Sequence, residues 1–254
     1  MNVFKFGGAS VKDAEGIRNL HKIIALTPEQ ELFIVVSAMG KTTNALELVV
    51  KSFMANEDWK PLLDAVFANH EAVLKELKNE QGAAHQAIEK IKAYAFAFLE
   101  ADTDADYDFL YDQIVSLGEI LSTKIISDYL ISQGIKNDWL DARKLIHTDN
   151  NYRAANVDWE LTKQRVSSAW EWKKNKVVIS QGFIGGGNHN RMTTLGREGS
   201  DFSAAIFGYC LDAEAVCIWK DVDGVLNADP EYFNNAELLP NISYREAVEL
   251  SYYG

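Results

Sequence analysis

Short apolar runs alternate along this chain with longer segments in which apolar residues recur every three or four positions. The runs 2–6, 32–36, 177–179 and 215–219 are each bounded by turn residues, as are strands buried on both faces of a parallel sheet. Helical spacing dominates residues 58–134. Strands that alternate with helices predict right-handed βαβ units around a mainly parallel sheet, which is an α/β fold.

Four polar or glycine-rich segments directly follow apolar runs, at Gly7-Gly8, 37–44, 182–187 and 221–229. In parallel α/β sheets the ligand lies outside the carboxyl ends of the strands. We therefore expect these segments to meet at one edge of the sheet and to form a ligand site there.

Composition narrows the class of protein. The 254 residues are 47% hydrophobic and contain no Pro/Gly/Ser-rich linker, which predicts one domain over 1–254. A net charge of -12 argues against nucleic acid or an anionic membrane as partner, but not against ATP. Cys210 and Cys217 lie in apolar stretches that we expect to be buried, without metal or disulfide spacing. This cysteine usage indicates a reducing compartment. Together with the lack of a signal peptide and of any run of 18 apolar residues, it predicts a cytoplasmic protein.

The first two polar segments each allow a structural and a functional interpretation. Glycines after strand 2–6 let backbone N–H groups approach an anion, and Lys5 could stabilise a phosphoryl group; a plain β-to-α turn fits equally well. Segment 37–44 contains Gly-Lys-Thr-Thr, but Val35 stands where a P-loop needs its first glycine. Its hydroxyl and amide groups could bind a polar substrate or cap the next helix.

Two further segments carry charged groups beside glycines. Within a helix, Gly118 lowers the stability by about 1 kcal/mol relative to alanine, which indicates that another group packs closely there or that a ligand approaches. The carboxylate of Glu119 could bind an ammonium group or lie on the protein surface. The glycine-rich segment 182–187 could bind an anion, or its glycines Gly185–Gly187 could form a mobile loop. Arg197 can hold a carboxylate bidentately, and Asp201 could cap a helix or orient a lysine.

The segment after strand 215–219 has Asp-Gly turn chemistry, and its acidic side chains could bind a ribose hydroxyl or a metal-bound water. Their spacing does not match an EF-hand calcium loop.

Together these motifs resemble the amino acid kinase family, and within it the aspartokinases. The resemblance extends over residues 5–230 in the order typical of the family. The residues that carry it are Lys5-Phe6-Gly7-Gly8, Ser37, Thr43-Asn44, Gly118-Glu119, Gly182-Phe183, Thr194–Arg197, Gly199–Asp201 and Asp221–Gly224.

The resemblance implies a three-layer α/β/α sandwich that binds ATP and L-aspartate along the carboxyl edge of the sheet, with Mg²⁺ held mainly by the phosphates. It implies catalytic roles for Lys5, on the moving phosphoryl group, and for Asp201, which organises that lysine. Glu119 would bind the aspartate ammonium and Arg197 its α-carboxylate. The other implied substrate residues are Ser37, Thr43, Phe183 and Ser200, and the implied nucleotide residues are Gly7, Gly8, Ser10, Lys220, Asp221 and Leu226.

The chain also departs from the family pattern. Lys220, Leu226 and Glu231 stand where the family usually has threonine, tyrosine and arginine. The family continues beyond the last helix of this chain into a second nucleotide-contacting lysine and regulatory ACT domains. We therefore expect a truncated catalytic domain with weak or no activity by itself, from a protein that is a homodimer at full length.

Two alternatives remain at this point. The same fold could phosphorylate acetylglutamate, glutamate, carbamate or a nucleoside monophosphate, or the chain could be a non-catalytic binding module. Glu119 with Arg197 favours a free amino acid, and the presence of both Lys5 and Asp201 argues against a module without catalysis.

Overall fold

The predicted parallel sheet is present in the computed structural model, which describes residues 1–80, 82–101, 105–220, 222 and 224–253. Five strands form it in the order β3-β4-β2-β1-β7, and every neighbouring pair is parallel. A separate antiparallel hairpin joins β5 to β6. The strands are β1 (Asn2–Phe6), β2 (Leu32–Val36), β3 (Asn137–Trp139), β4 (Val177–Gln181), β5 (Ile184–Gly186), β6 (Met192–Thr194) and β7 (Ala215–Trp219).

Helices cover both faces of this sheet, as predicted for a three-layer sandwich. Helix α6 packs against β2, β3 and β4, whereas α9 packs against β1, β2 and β7. The helices are α1 (Ala14–Ala25), α2 (Thr42–Met54), α3 (Lys60–Glu76), α4 (Ala83–Glu100), α5 (Tyr107–Val115), α6 (Leu117–Ser132), α7 (Ala142–Leu145), α8 (Trp159–Glu171), α9 (Gly199–Cys210) and α10 (Tyr244–Tyr253).

The core lies around β2, whose five residues are all buried. The ring of Phe33 contacts that of Phe207 on α9, with 4.3 Å between centroids. A fully buried side chain of this size contributes roughly 1.5–3 kcal/mol through removal of apolar surface from water. The continuous apolar run 32–36 is thus explained by helices on both faces. At the sheet edge, in contrast, Cys217 of β7 is only half-buried, so the prediction that it is buried is wrong.

The glycine-rich segment 182–187 contains a strand, so Gly185 and Gly186 are not part of a mobile loop. Ile184–Gly186 pairs with Met192–Thr194 in the hairpin, and its three residues are buried. A Cβ atom on Gly186 would overlap the backbone carbonyl oxygen of Arg143. The glycine is needed because the hairpin packs directly on the backbone of α7.

Strand β3 and helices α7 and α8 were not predicted. Strand β3 is short and polar, and Asp138 accepts two backbone N–H groups from the turn at residues 174–175. Asp141 caps α7 and Asp158 caps α8, each accepting a backbone N–H from the first turn. The aspartate before the α8 segment is a start signal that could have indicated that helix.

The described residues divide into two compact units, Met1–Trp219 and Lys220–Gly254. In the second unit, Ser243 and Glu246 cap each other at the start of α10: Oε2 of Glu246 accepts from the Ser243 N–H, and Oγ of Ser243 accepts from the Glu246 N–H. Leu226 forms an isolated bridge with Leu238. Among the described residues, no helix combines the length and apolarity that crossing a membrane requires.

Candidate active site

A cavity of about 590 Å³ lies at the carboxyl ends of the central strands, where the polar segments were predicted to meet. It brings together nine of the predicted site residues: Lys5, Gly8, Ser37, Thr43, Glu119, Phe183, Arg197, Ser200 and Asp201. Gly7 lies beside it, since a Cβ on Gly7 would be 3.5 Å from Nζ of Lys5. Residues that are up to 196 positions apart therefore share one surface.

An ion pair forms one end of the cavity. Nζ of Lys5 lies 2.5 Å from Oδ1 of Asp201, and the lysine side chain is only 7% exposed. Lys5 comes from β1 and Asp201 from the first turn of α9, so the pair joins the sheet to the helix beside it. No side chain caps the start of α9, and Asp201 faces the lysine instead. The ion pair holds the lysine ammonium in a fixed position at the cavity wall.

Glu119 is a buried carboxyl on another wall, so its interpretation as a surface residue is wrong. It is 2% exposed, and burial raises its pKa to about 8. Oε1 accepts the Ala38 N–H at 3.3 Å, whereas Oε2 has no hydrogen-bond partner among the described residues. A buried oxygen without a partner is costly unless a ligand supplies the donor.

Gly118, the neighbour of Glu119, lets the start of α6 pack closely against segment 37–44. A Cβ on Gly118 would lie 3.0 Å from Cβ of Ala38 and 3.1 Å from Cγ2 of Thr42. The prediction of close packing at this glycine is confirmed. The chain here is not one continuous helix, because α5 ends at Val115 and α6 begins at Leu117.

Segment 37–44 faces the cavity rather than capping α2. The residue before the helix is Lys41, and no side chain caps the helix start. The Thr42 hydroxyl donates to the Met39 carbonyl at 2.7 Å, and Thr43 lines the cavity. Of the two interpretations of this segment, helix capping is wrong.

The rim near α9 carries strained backbone. Phe183 and Glu198 both have positive φ, at 68° and 55°, which is uncommon for residues with a Cβ. The Phe183 N–H donates to Oγ of Ser203 at 2.9 Å, and the Phe183 carbonyl accepts from Leu195 N–H at 2.8 Å. These bonds hold the strained residue in place, and such strain is common at ligand sites.

Sequence reasoning missed a second group of cavity residues, Tyr111 and Arg153. The Arg153 guanidinium lies 4.7 Å from the centre of the Tyr111 ring. Asp112, fully buried, accepts the backbone N–H groups of Arg153 and Thr194 and the Thr194 hydroxyl. Burial raises the Asp112 pKa to about 6. Nothing in the local pattern marks these residues, because only the fold brings Arg153 next to α5, which carries Tyr111.

The remaining predicted nucleotide residues are placed differently. Ser10 does not line the cavity, and its hydroxyl donates to the Trp219 carbonyl at 3.2 Å. Lys220 and Leu226 belong to the second unit. Asp221 and Asp223 lie outside the described residues. The nucleotide roles of Ser10, Lys220, Asp221 and Leu226 stay predictions.

The family model "Amino acid kinase family" matches residues 1–254. The chain belongs to the amino acid kinase family. Among similar proteins, Aspartokinase 1, chloroplastic, of Arabidopsis thaliana is 35% identical over 99% of this chain and 45% of its own length. Bifunctional aspartokinase/homoserine dehydrogenase 2, chloroplastic, of the same plant is 33% identical over 100% of this chain and 28% of its own length.

Solved structures show the same relationship in three dimensions. The crystal structure of Escherichia coli aspartokinase III in complex with aspartate and ADP superposes with a TM-score of 0.88 at 30% identity, covering 100% of this chain and 56% of that one. The amino acid kinase fold is therefore confirmed. This chain spans about a quarter to just over half of the length of the aspartokinases it matches.

Proposed function

We propose that this member of the amino acid kinase family phosphorylates the side-chain carboxylate of L-aspartate with ATP, which forms 4-phospho-L-aspartate. This reaction is the first step in the synthesis of lysine, threonine and methionine. One observation carries the proposal: a single cavity holds the Lys5–Asp201 pair together with the buried Glu119 carboxyl. The similar proteins named aspartokinases, and the one bound to aspartate and ADP, support it.

In this proposal, Lys5 stabilises the moving phosphoryl group. An aspartate side-chain oxygen attacks the γ-phosphorus, the bond from that phosphorus to the β–γ bridging oxygen breaks, and ADP leaves. Charge accumulates on the transferred group, and a fixed cation is most effective in a site that excludes water. Asp201, 2.5 Å from Nζ, holds the lysine in place. Catalysis of this kind depends on positioning and electrostatics.

The amino acid would be held by its two charged α-groups. The ammonium donates to Oε2 of Glu119, which has no hydrogen-bond partner among the described residues. Arg197 lines the cavity from an exposed position on its rim and would bind the α-carboxylate. Four further residues that line the same cavity would surround the substrate in this proposal: Ser37, Thr43, Phe183 and Ser200.

The nucleotide would lie with its phosphates beside Gly7 and Gly8. A Cβ on Gly8 would be 2.7 Å from the Ala38 carbonyl oxygen, so glycine is needed for the turn itself. Within the described residues, no group of three or more His, Cys, Asp or Glu side chains is arranged to hold a metal ion. The carboxylates of Glu198 and Asp201 line the active-site cavity. We propose that Mg²⁺ enters with ATP, held mainly by the phosphates.

Several finer predictions go with this function. The two units Met1–Trp219 and Lys220–Gly254 would form one catalytic domain. The protein would act in the cytoplasm as a homodimer.

The test compares aspartate with glutamate as acceptor. Acyl phosphate is trapped with hydroxylamine, and binding of each amino acid is measured by calorimetry with Mg²⁺ and a non-hydrolysable ATP analogue. One extra methylene in a fitted site typically costs 10- to 200-fold. We expect aspartate to be preferred by at least about tenfold in binding, and in turnover where turnover is detected. Equal binding, or preference for glutamate, would contradict the proposed substrate.

A further inference from the structure

A second cavity of about 720 Å³ lies between α7, α8 and the β5–β6 hairpin. Six of its lining residues can carry positive charge, and we call it the basic pocket: Arg143, Lys144, His147, Arg165, His189 and Arg191. It shares no lining residue with the candidate active site. In a chain with 37 acidic and 25 basic residues, such a concentration of cations runs against the overall charge.

Within the described residues, Asp141 is the acidic side chain that lines this pocket, and it is already neutralised. Its two oxygens accept from Nε and Nη2 of Arg143 at 2.8 and 2.7 Å. Lys144, Arg165 and Arg191 make no ion pair with any described residue. The pocket therefore keeps a net positive charge even with both histidines neutral, and like charges held together favour an anionic ligand.

The guanidinium groups are held in place by their surroundings. Arg191 lies 5.0 Å from the centre of the Phe109 ring, and Arg143 also contacts Sδ of Met192 at 3.4 Å. Nη1 of Arg165 lies 3.5 Å from Nδ1 of His147. Side chains that are ordered before a ligand arrives lose less entropy when they bind it.

We propose that the basic pocket binds a small molecule that carries phosphate. Cationic groups project from three elements, and tetrahedral phosphate oxygens can be met from several directions, whereas a planar carboxylate suits a single guanidinium fork. The volume exceeds that of one phosphate ion and lies within the range of small-molecule sites. Gly186 allows the hairpin wall to pack on the α7 backbone and so closes this pocket.

The first experiment locates the site with pyrophosphate as probe. Arginines are labelled with phenylglyoxal with and without pyrophosphate, and the label at each position is quantified by mass spectrometry. We expect pyrophosphate to protect Arg165 and Arg191, while Arg18 on α1, whose partly exposed side chain pairs with Glu76, serves as internal reference. Protection no greater than at Arg18 overturns the proposal. Equal or stronger protection by citrate overturns the assignment to phosphate.

The second experiment measures affinity by calorimetry in low salt. The double variant Arg165→Gln/Arg191→Gln should bind pyrophosphate at this site more weakly by a factor of more than about ten. It loses the hydrogen bonds from two guanidinium groups to phosphate, and such charge-assisted bonds are stronger than those between neutral groups. The control Lys22→Gln/Lys90→Gln removes the same charge from exposed helix positions and should bind as the wild type does. Equal weakening in both variants would show a general charge effect and overturn the proposal. Thermal unfolding confirms that each variant is folded.

Discussion

The candidate active site and the basic pocket hold their charges in opposite ways. In the active site each buried charge either has a counter-charge, as Lys5 has in Asp201, or is held near neutrality by burial, as is Glu119. In the basic pocket three of the cationic side chains have no ion pair among the described residues. Charge in the active site is thus positioned by its partners, whereas the basic pocket carries an excess of positive charge, which favours an anionic ligand. The two kinds of site share no lining residue: the active site lies at the carboxyl ends of the central strands, and the basic pocket lies between α7, α8 and the β5–β6 hairpin.

The largest expected effect comes from removing the positioned charge in the active site. Lys5→Ala should lower turnover about 100- to 1000-fold, as loss of a group that stabilises transition-state charge does. Aspartate affinity should stay within about twofold, since Glu119 and Arg197 would hold the amino acid. Turnover is measured by hydroxamate trapping, and affinity by calorimetry. The control is Lys22→Ala, which should leave turnover unchanged. Unchanged turnover in Lys5→Ala would show that Lys5 has no role in the mechanism.

The buried carboxyl predicts a pH dependence of stability. Because the folded-state pKa of Glu119 is about 8, against an ordinary value near 4.5, the folded state binds more protons between these limits. Stability is therefore lost as the pH rises from about 4.5 to about 8, by as much as about 5 kcal/mol. Glu119→Gln should match the wild type near pH 5 and exceed it near pH 8 in chemical denaturation.

Glu89→Gln, at an exposed position of α4, is the control for that measurement and should leave the pH profile unchanged. A wild-type profile that does not fall over this pH range would contradict the neutral state of Glu119. A fall that persists in Glu119→Gln would assign it to another group.

The smallest expected effect concerns the wall of the basic pocket. Gly186→Ala should lower the free energy of unfolding by about 1–3 kcal/mol, because the added Cβ overlaps the Arg143 carbonyl. Gly134→Ala is the comparison: nothing lies within 4 Å of its added Cβ, but its φ is +86°, so its cost is about 1 kcal/mol. Denaturant unfolding measures both. A smaller loss at Gly186 than at Gly134 would contradict the packing role of the hairpin glycine.

Much of the active site was predictable because the relevant patterns are local. Lys5 and Gly8 follow from a strand that ends in glycines, and Arg197 and Asp201 from the start of a helix. Arg153 and Tyr111 were not predictable in this way. Their place in the cavity depends on the packing of α5, and on Asp112, which holds the backbone of Arg153 from a distance of 41 positions along the chain.

The sequence by itself determined the parallel sheet, the strand-end segments and the family, because apolar periodicity and short motifs act over a few residues. The tertiary structure decided that Glu119 is buried with one unpartnered oxygen, that segment 184–186 is a strand, and that cations from three elements surround one pocket. These properties depend on which distant groups exclude water or approach within a few ångströms. The desolvation of a side chain and its contacts depend on residues from the whole fold, so a short stretch of sequence does not predict them.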